Sequence, residues 1–405
     1  MIRFLLLLFF PVSIYAQSRP TPYLVTMPRE DGRAIVFNMT TSMVKGKPVW
    51  IITNASEKLR VDSIVRQGDS LFVEMPFFDS RMRMKMSADG SMNGTWYKGT
   101  TSADVTMPVQ AQPGITTRFR ALNGPANKNI TGRYAVTFTR PDGSPRKSVA
   151  EFKQQGNTLT GTFLNPSGDY RFLEGIVSGD SLMLSCFDGS HAYFFGARIN
   201  ADGSISDGVY CSGARYLEPW KAVKDPKAKT EDSGVMMYLK EGEAKLNFRF
   251  PDLDSNMVSI NDERFRNKVV VLQIMGSWCP NCMDETAFLS EYYKTNRQRG
   301  VEVIGLAYEY TKDFRKAEKS LRKFQQRHDV QYPILNTGVT TSDSLRTEKT
   351  LPQFTPIKAF PTTIFIGKDG RVKKVHPGFE GPGTGQHFEA YKKEFNATID
   401  ALLKQ

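Results

Sequence analysis

Cys279 and Cys282 stand in the run Trp278-Cys279-Pro280-Asn281-Cys282. Two thiols at this spacing on the first turn of a helix lie on one face, close enough to join as a disulfide. The unpaired amides and positive dipole end of such a helix stabilise a thiolate on the first cysteine. Pro280 suits the first helical position, where its missing N–H leaves no bond unmade. The pattern assigns Cys279 as the exposed nucleophile and Cys282 as the resolving thiol of a redox couple. A zinc site would need four ligands, usually including a second pair at related spacing. Cys186, Cys211 and the four histidines lie in unrelated contexts. A purely structural disulfide here would close a tiny loop and stabilise little. Redox chemistry is the expectation, with no cofactor and no metal.

Such a couple needs a buried strand before it and a helix after it. Val269 to Met275 is a dense apolar run, as for a strand covered on both faces. A helix is expected from Cys279 to about Arg297, and a second buried strand from Val301 to Ala307. Phe314, Ala317, Leu321 and Phe324 recur at helical spacing. Thr362 to Ile366 reads as a strand, Lys368-Asp369-Gly370 as a turn and Val372 to His376 as the returning strand. Phe388, Tyr391, Phe395, Ile399 and Leu402 mark a closing amphipathic helix. The alternation is an α/β signature, assigned to residues 246–405.

This stretch resembles the TlpA/ResA branch of the thioredoxin superfamily. The match runs through Phe250-Pro251-Asp252-Leu253-Asp254, Lys268-Val269-Val270-Val271-Leu272, the Trp278–Cys282 run and Phe360-Pro361-Thr362-Thr363. The resemblance implies a thioredoxin-like fold with Pro361 in the cis form, facing the two cysteines and lining a partner groove. Two positions depart from the pattern. Gln273 replaces the buried Asp that thioredoxins place six residues before the first cysteine. Ala287 replaces the Pro of a frequent Glu-x-Pro, whose Glu is present as Glu285. Glu285 therefore matches the family's active-site glutamate, with a solvated helix-surface carboxylate as the competing reading. Glu309 is the weaker candidate for proton transfer and reads as a solvated loop residue.

Residues 30–223 read as an all-β antiparallel barrel or sandwich, with short alternating runs between turn signals. An internal repeat runs through them. Gly68-Asp69-Ser70-Leu71 recurs as Gly179-Asp180-Ser181-Leu182, and Ala88-Asp89-Gly90-Ser91 as Ala201-Asp202-Gly203-Ser204. Each copy is expected to end in a three-stranded meander. Two copies then close into one barrel or a pair of packed sheets, which hides their edges. Cys186 and Cys211 fall on the first and third strands of one meander. That is about 9.6 Å apart, beyond the roughly 7 Å a disulfide tolerates. The region loosely resembles the accessory domain that precedes TlpA-like domains in Bacteroidetes, through Gly168-Asp169-Tyr170-Arg171-Phe172 and Cys186-Phe187-Asp188-Gly189-Ser190-His191. That likeness assigns no functional residue. Residues 224–245 are expected to be a charged linker.

At the N-terminus, Arg3, the apolar run Phe4 to Phe10, Pro11 and Ala16 have the layout of a secretory signal peptide over residues 1–16. Export to a periplasm-type compartment follows, where cysteines are usually bonded or catalytic. The net charge of +12 comes from scattered Lys and Arg, with no basic block. Nucleic-acid binding and stable membrane insertion are not expected. The expected function is reduction of disulfides in exported proteins, with a membrane electron donor as the resemblance implies. An oxidase or isomerase differs only in redox poise. A third reading makes the β-region a ligand- or partner-binding module with a tethered thioredoxin domain.

Overall fold

The computed structural model describes residues 19–76, 78–100, 103–121, 123–230 and 236–405. The leader assigned to residues 1–16 lies outside them. Antiparallel strands begin at Thr21, ahead of residue 30. The first sheet holds β1 (Thr21–Pro28), β2 (Ala34–Val44), β3 (Lys47–Asn54), β4 (Glu57–Val61), β5 (Ser63–Gln67), β6 (Ser70–Glu74), β7 (Ser80–Met86), β8 (Met92–Lys98) and β9 (Val105–Pro113). Its order is β4-β3-β2-β1-β9-β8-β7-β6-β5. The sheet rolls until its two edge strands are consecutive in the chain, with Asp62 between them.

The second sheet repeats the plan with β10 (Gly132–Thr139), β11 (Pro145–Gln155), β12 (Thr158–Asn165), β13 (Gly168–Asp169), β14 (Leu173–Ser178), β15 (Ser181–Phe187), β16 (Ala192–Ile199), β17 (Ile205–Ser212) and β18 (Tyr216–Lys224). Here β11 pairs with both β10 and β12, and β18 pairs with β10, so eight strands close into a barrel. The repeat is thus larger than a terminal meander. Strands β1 to β9 answer in order to β10 to β18, and each copy makes its own sheet instead of sharing one barrel. The reason is alternation. Each copy turns its apolar face inward, as Phe138, Phe163, Phe195 and Trp220 do in the closed barrel, and fills its own interior.

The two sheets meet over Phe187, which stacks on Phe37 with ring centroids 4.5 Å apart. Asn54 donates from Nδ2 to the Phe187 carbonyl at 2.9 Å and accepts from its N–H at 3.2 Å. The ends of the expected linker are docked, not free. Arg133 Nε donates to the Ala228 carbonyl at 2.7 Å, and Met237 is buried.

The C-terminal domain is a five-stranded sheet flanked by helices. After a short hairpin, β19 (Arg249–Pro251) and β20 (Met257–Ser259), come β21 (Val269–Met275), α1 (Pro280–Asn296), β22 (Val301–Ala307), α2 (Phe314–Arg327), β23 (Ile334–Asn336), α3 (Arg346–Thr350), β24 (Thr362–Ile366), β25 (Val372–Pro377) and α4 (Gln386–Leu403). The sheet order is β23-β22-β21-β24-β25. β21 pairs parallel to β22 and antiparallel to β24. It is buried along its whole length because α1 and α4 cover one face and the Phe248, Phe265 and Phe354 cluster covers the other. Its C-terminal end therefore delivers Cys279 to a fixed place. Among the described residues, no helix is long and apolar enough to cross a membrane.

Candidate redox site

α1 starts where β21 ends, and Gly276 makes the tight passage. A Cβ at Gly276 would fall 2.1 Å from the Trp278 indole nitrogen. Trp278 is held by its Nε1–H bond to the Tyr308 carbonyl at 2.7 Å and by stacking on Tyr310. Cys279 is the N-cap of α1, and its Sγ accepts the Cys282 N–H at 3.2 Å. A sulfur so placed receives one of the helix's otherwise unpaired donors. The Cys279 Sγ also faces the Phe360 carbonyl oxygen at 3.6 Å. The Phe360–Pro361 peptide is cis, and the Phe360 contact puts this loop beside Cys279. The structure shows free thiols at both cysteines.

Cys279 keeps 5 % of its surface and Cys282 none. Cys279 is thus more enclosed than its position on a helix start suggests. The β-region walls the turn just before it. Phe78, Asp79, Lys98 and Ser190 line a cleft of about 290 Å³ with Ser277, Trp278 and Tyr310. Burial pushes the Cys282 thiol well above its ordinary value, reinforced by its neighbour Cys279.

Glu285 lies directly behind Cys282, fully buried on α1. Gln273 Nε2 donates to its Oε2 at 2.8 Å and to the Cys282 carbonyl at 3.3 Å. Thr363 and Tyr391 donate to its Oε1, at 2.5 and 2.9 Å. Burial pushes this carboxyl up to about 7, although all three hydrogen bonds favour its charged form. The solvated reading of Glu285 does not hold. Gln273 does not titrate, but it ties the carboxylate to the backbone of Cys282.

Glu309 needs a plain correction. It is 5 % exposed, not a solvated loop residue. It accepts from the Ser277 N–H at 2.8 Å and from the Ser277 hydroxyl at 2.6 Å. Burial raises its carboxyl to about 7 as well, against those bonds. Position after a strand suggested a loop tip, whereas the β-region roofs it over. Its bonds brace the turn that carries Trp278 and Cys279.

Sequence reasoning missed the residues that the β-region brings. Arg171 reaches the Pro280 carbonyl at 3.3 Å and pairs with Asp284 on α1. Gly168 packs against Asn281, between the two cysteines. Asp169 Oδ2 accepts the Gly381 N–H at 2.8 Å. The only sequence signal was that these residues lie in a segment resembling an accessory domain. Nothing in their spacing points to a site more than a hundred residues away. Among the described residues, no cluster of His, Cys, Asp and Glu is arranged to hold a metal ion.

The Redoxin family model matches residues 240–392. The C-terminal domain is a thioredoxin-like Redoxin domain. The chain is 27% identical over 154 residues to the thiol-disulfide oxidoreductase ResA of Bacillus thuringiensis, covering 38% of this chain and 77% of that one. It is 24% identical over 140 residues to ResA of Bacillus subtilis, covering 35% and 69%. Among solved structures, a thiol:disulfide interchange protein of the thioredoxin family from Chlorobium tepidum is 18% identical, with 40% of this chain and 98% of that chain covered and a TM-score of 0.30. Each of the three covers 40% of this chain or less.

Proposed function

We propose that this chain is an exported reductase of protein disulfides. By chemistry it is a thiol–disulfide oxidoreductase. One observation carries that reading: the Cys279 sulfur caps α1 and faces the cis Pro361 loop, with a buried carboxyl behind its partner thiol. The Cys279 thiolate attacks one sulfur of a partner disulfide. The partner S–S bond breaks, and its departing sulfur leaves as a thiolate that takes up a proton. Cys282 then loses its proton and attacks Cys279 Sγ. The mixed disulfide breaks, the partner gains its second thiol, and Cys279 and Cys282 end as a disulfide. Glu285 is the group placed to receive the Cys282 proton. Return to the dithiol form takes two electrons from a membrane-bound dithiol donor. Export rests on the leader at residues 1–16, and the donor on the kinship with ResA.

The test is a Cys282→Ser variant, which halts the cycle at the mixed disulfide. Expressed with its leader, it should accumulate exported proteins bound through Cys279, and reducing agent should release them. A trap that captures no exported protein would overturn the reading. A glutathione equilibration of the wild-type couple should give a reducing potential. An oxidising one would convert the assignment to an oxidase.

A further inference from the structure

Arg171 is in an unusual position for an arginine. It leaves the closed barrel between β13 and β14, is buried, and has a left-handed backbone with φ of 58°. Its own N–H donates to Asp169 Oδ1 at 2.5 Å, which fixes that turn. The guanidinium joins three parts of the molecule. It pairs with Glu57 at the start of β4, lies 3.8 Å from Asp188 just past β15, and pairs with Asp284 on α1. A second bond goes to the carbonyl of Pro280, the residue between Cys279 and Asn281.

We propose that Arg171 is a positioning residue of the redox site: it clamps the first turns of α1 through Pro280 and Asp284 and supplies a fixed positive charge that favours the thiolate form of Cys279. The inference rests on the reading of Cys279 as nucleophile. The β-region is then part of the redox centre and helps set its poise.

The charges around the clamp make its sign testable. Facing Arg171 are Glu57 from the first sheet, Asp169 and Asp188 from the second, and Asp284 from α1. His191 sits on Asp188 at 3.3 Å. Near the couple stand the buried Glu285 and Glu309 and the half-buried Tyr310. Arg171 and Lys98 of β8 are the cations that face this acidic group from the β-region, and of the two only Arg171 bonds to α1. Burial raises Asp284 to about 7, and Arg171 is the largest influence opposing that rise. Without Arg171, any charge left on Asp284 acts against a thiolate one turn away. Without the Asp284 carboxylate, one negative charge beside α1 is gone, while Arg171 keeps Glu57 and Asp188 as partners. A fixed charge within a few ångströms commonly changes the balance between thiol and thiolate by about tenfold or more.

The experiment uses the full-length reduced protein. Cys279 alkylation by neutral iodoacetamide is followed by peptide mapping across the pH range, for the wild type and for Arg171→Met, Arg171→Lys and Asp284→Asn. Arg171→Met should shift the rate profile to higher pH, slowing alkylation about tenfold on the wild-type rising limb. It should also move the glutathione equilibrium toward the disulfide. Arg171→Lys should keep most of the wild-type profile, because the charge is retained. Asp284→Asn should shift the profile to lower pH. Opposite signs are the signature of charge, since loosening of packing would push both variants the same way. Unmoved profiles, or shifts of the same sign, would overturn the proposal. If Arg171→Met does not fold, Asp284→Asn and Arg171→Lys decide the sign alone. Failure of the underlying redox reading shows separately, as a wild-type Cys279 no more reactive than Cys282.

Discussion

Glu285 has no water to ionise into, yet three donors surround it. That balance leaves a carboxyl that changes charge near neutrality, beside a thiol that must lose its proton to finish a cycle. Its stability linkage has a definite sign. The folded value of about 7 lies above the ordinary 4.5. The folded protein therefore binds this proton more tightly than the unfolded chain does. The stabilisation is full below about pH 4.5 and is lost as pH rises through 7. Over that window it amounts to at most about 3 kcal/mol. Glu285→Gln should flatten this part of the stability curve, as urea unfolding at several pH values would show. The same variant should slow release of a Cys279 mixed disulfide several-fold and remove a pH dependence near 7. An unchanged pH profile in single-turnover release would remove Glu285 from the proton path.

Elements decide what the other two cysteines can do. Cys186 pairs in register with Tyr193, and Cys211 pairs with Phe194. β16 thus runs between them, and both are buried free thiols. Burial raises both above the ordinary thiol value, so neither is primed as a nucleophile. Non-reducing peptide mapping should find no link between the Cys186 and Cys211 peptides, even after oxidation that closes Cys279 onto Cys282. A linked pair would mean a different strand order. In the C-terminal domain, α1 depends on its cap. The Cys279 sulfur takes the place that a Ser or Asp side chain usually fills, so one atom serves both helix and reaction.

At the scale of the whole molecule, one apolar cluster runs from Phe37 and Trp96 of the first sheet through Phe187 to Cys279, Met283 and Tyr391. An ion pair between Lys323 and Glu74 and a contact of His387 Nε2 with Glu151 at 2.9 Å also join the β-region to the C-terminal domain. A continuous core predicts that these parts lose structure together. Cys186 and Cys282 serve as built-in reporters, one in the barrel and one in α1. In pulsed thiol labelling, both should become reactive at the same urea concentration. Gly168 is the position to separate them. It has φ of 138°, and a Cβ there would meet Asn281 Nδ2 at 1.7 Å. Gly168→Val should weaken docking by about 1–3 kcal/mol and split labelling into two transitions. Coincident transitions in the variant would show that the Asn281 contact does not hold the parts together.

The local chemistry of the couple is legible in the sequence because its causes are local. A Cys-Pro-x-Cys at a helix start carries its own amides and dipole, and β21 declares its burial by seven apolar or neutral residues in a row. The periods of α2 and α4 are equally plain, since each hides one face of a helix. Short elements escape the same reading: β23 has three residues and α3 five, too few to show a period. The repeat of β1 to β9 in β10 to β18 is visible where turns recur, at Gly-Asp-Ser and Ala-Asp-Gly-Ser, and where Gly94 and Gly99 around Tyr97 answer to Gly208 and Gly213 around Tyr210. Whether the copies share a barrel depends on which edges meet, and no local pattern encodes that. Glu309 and Arg171 make the same point at the site. A carboxylate after a strand and an arginine in a turn look solvated until another domain covers them. Their burial and the charge set around α1 come from surfaces that meet only when the β-region docks, because desolvation and ion pairing depend on distance through space and not along the chain.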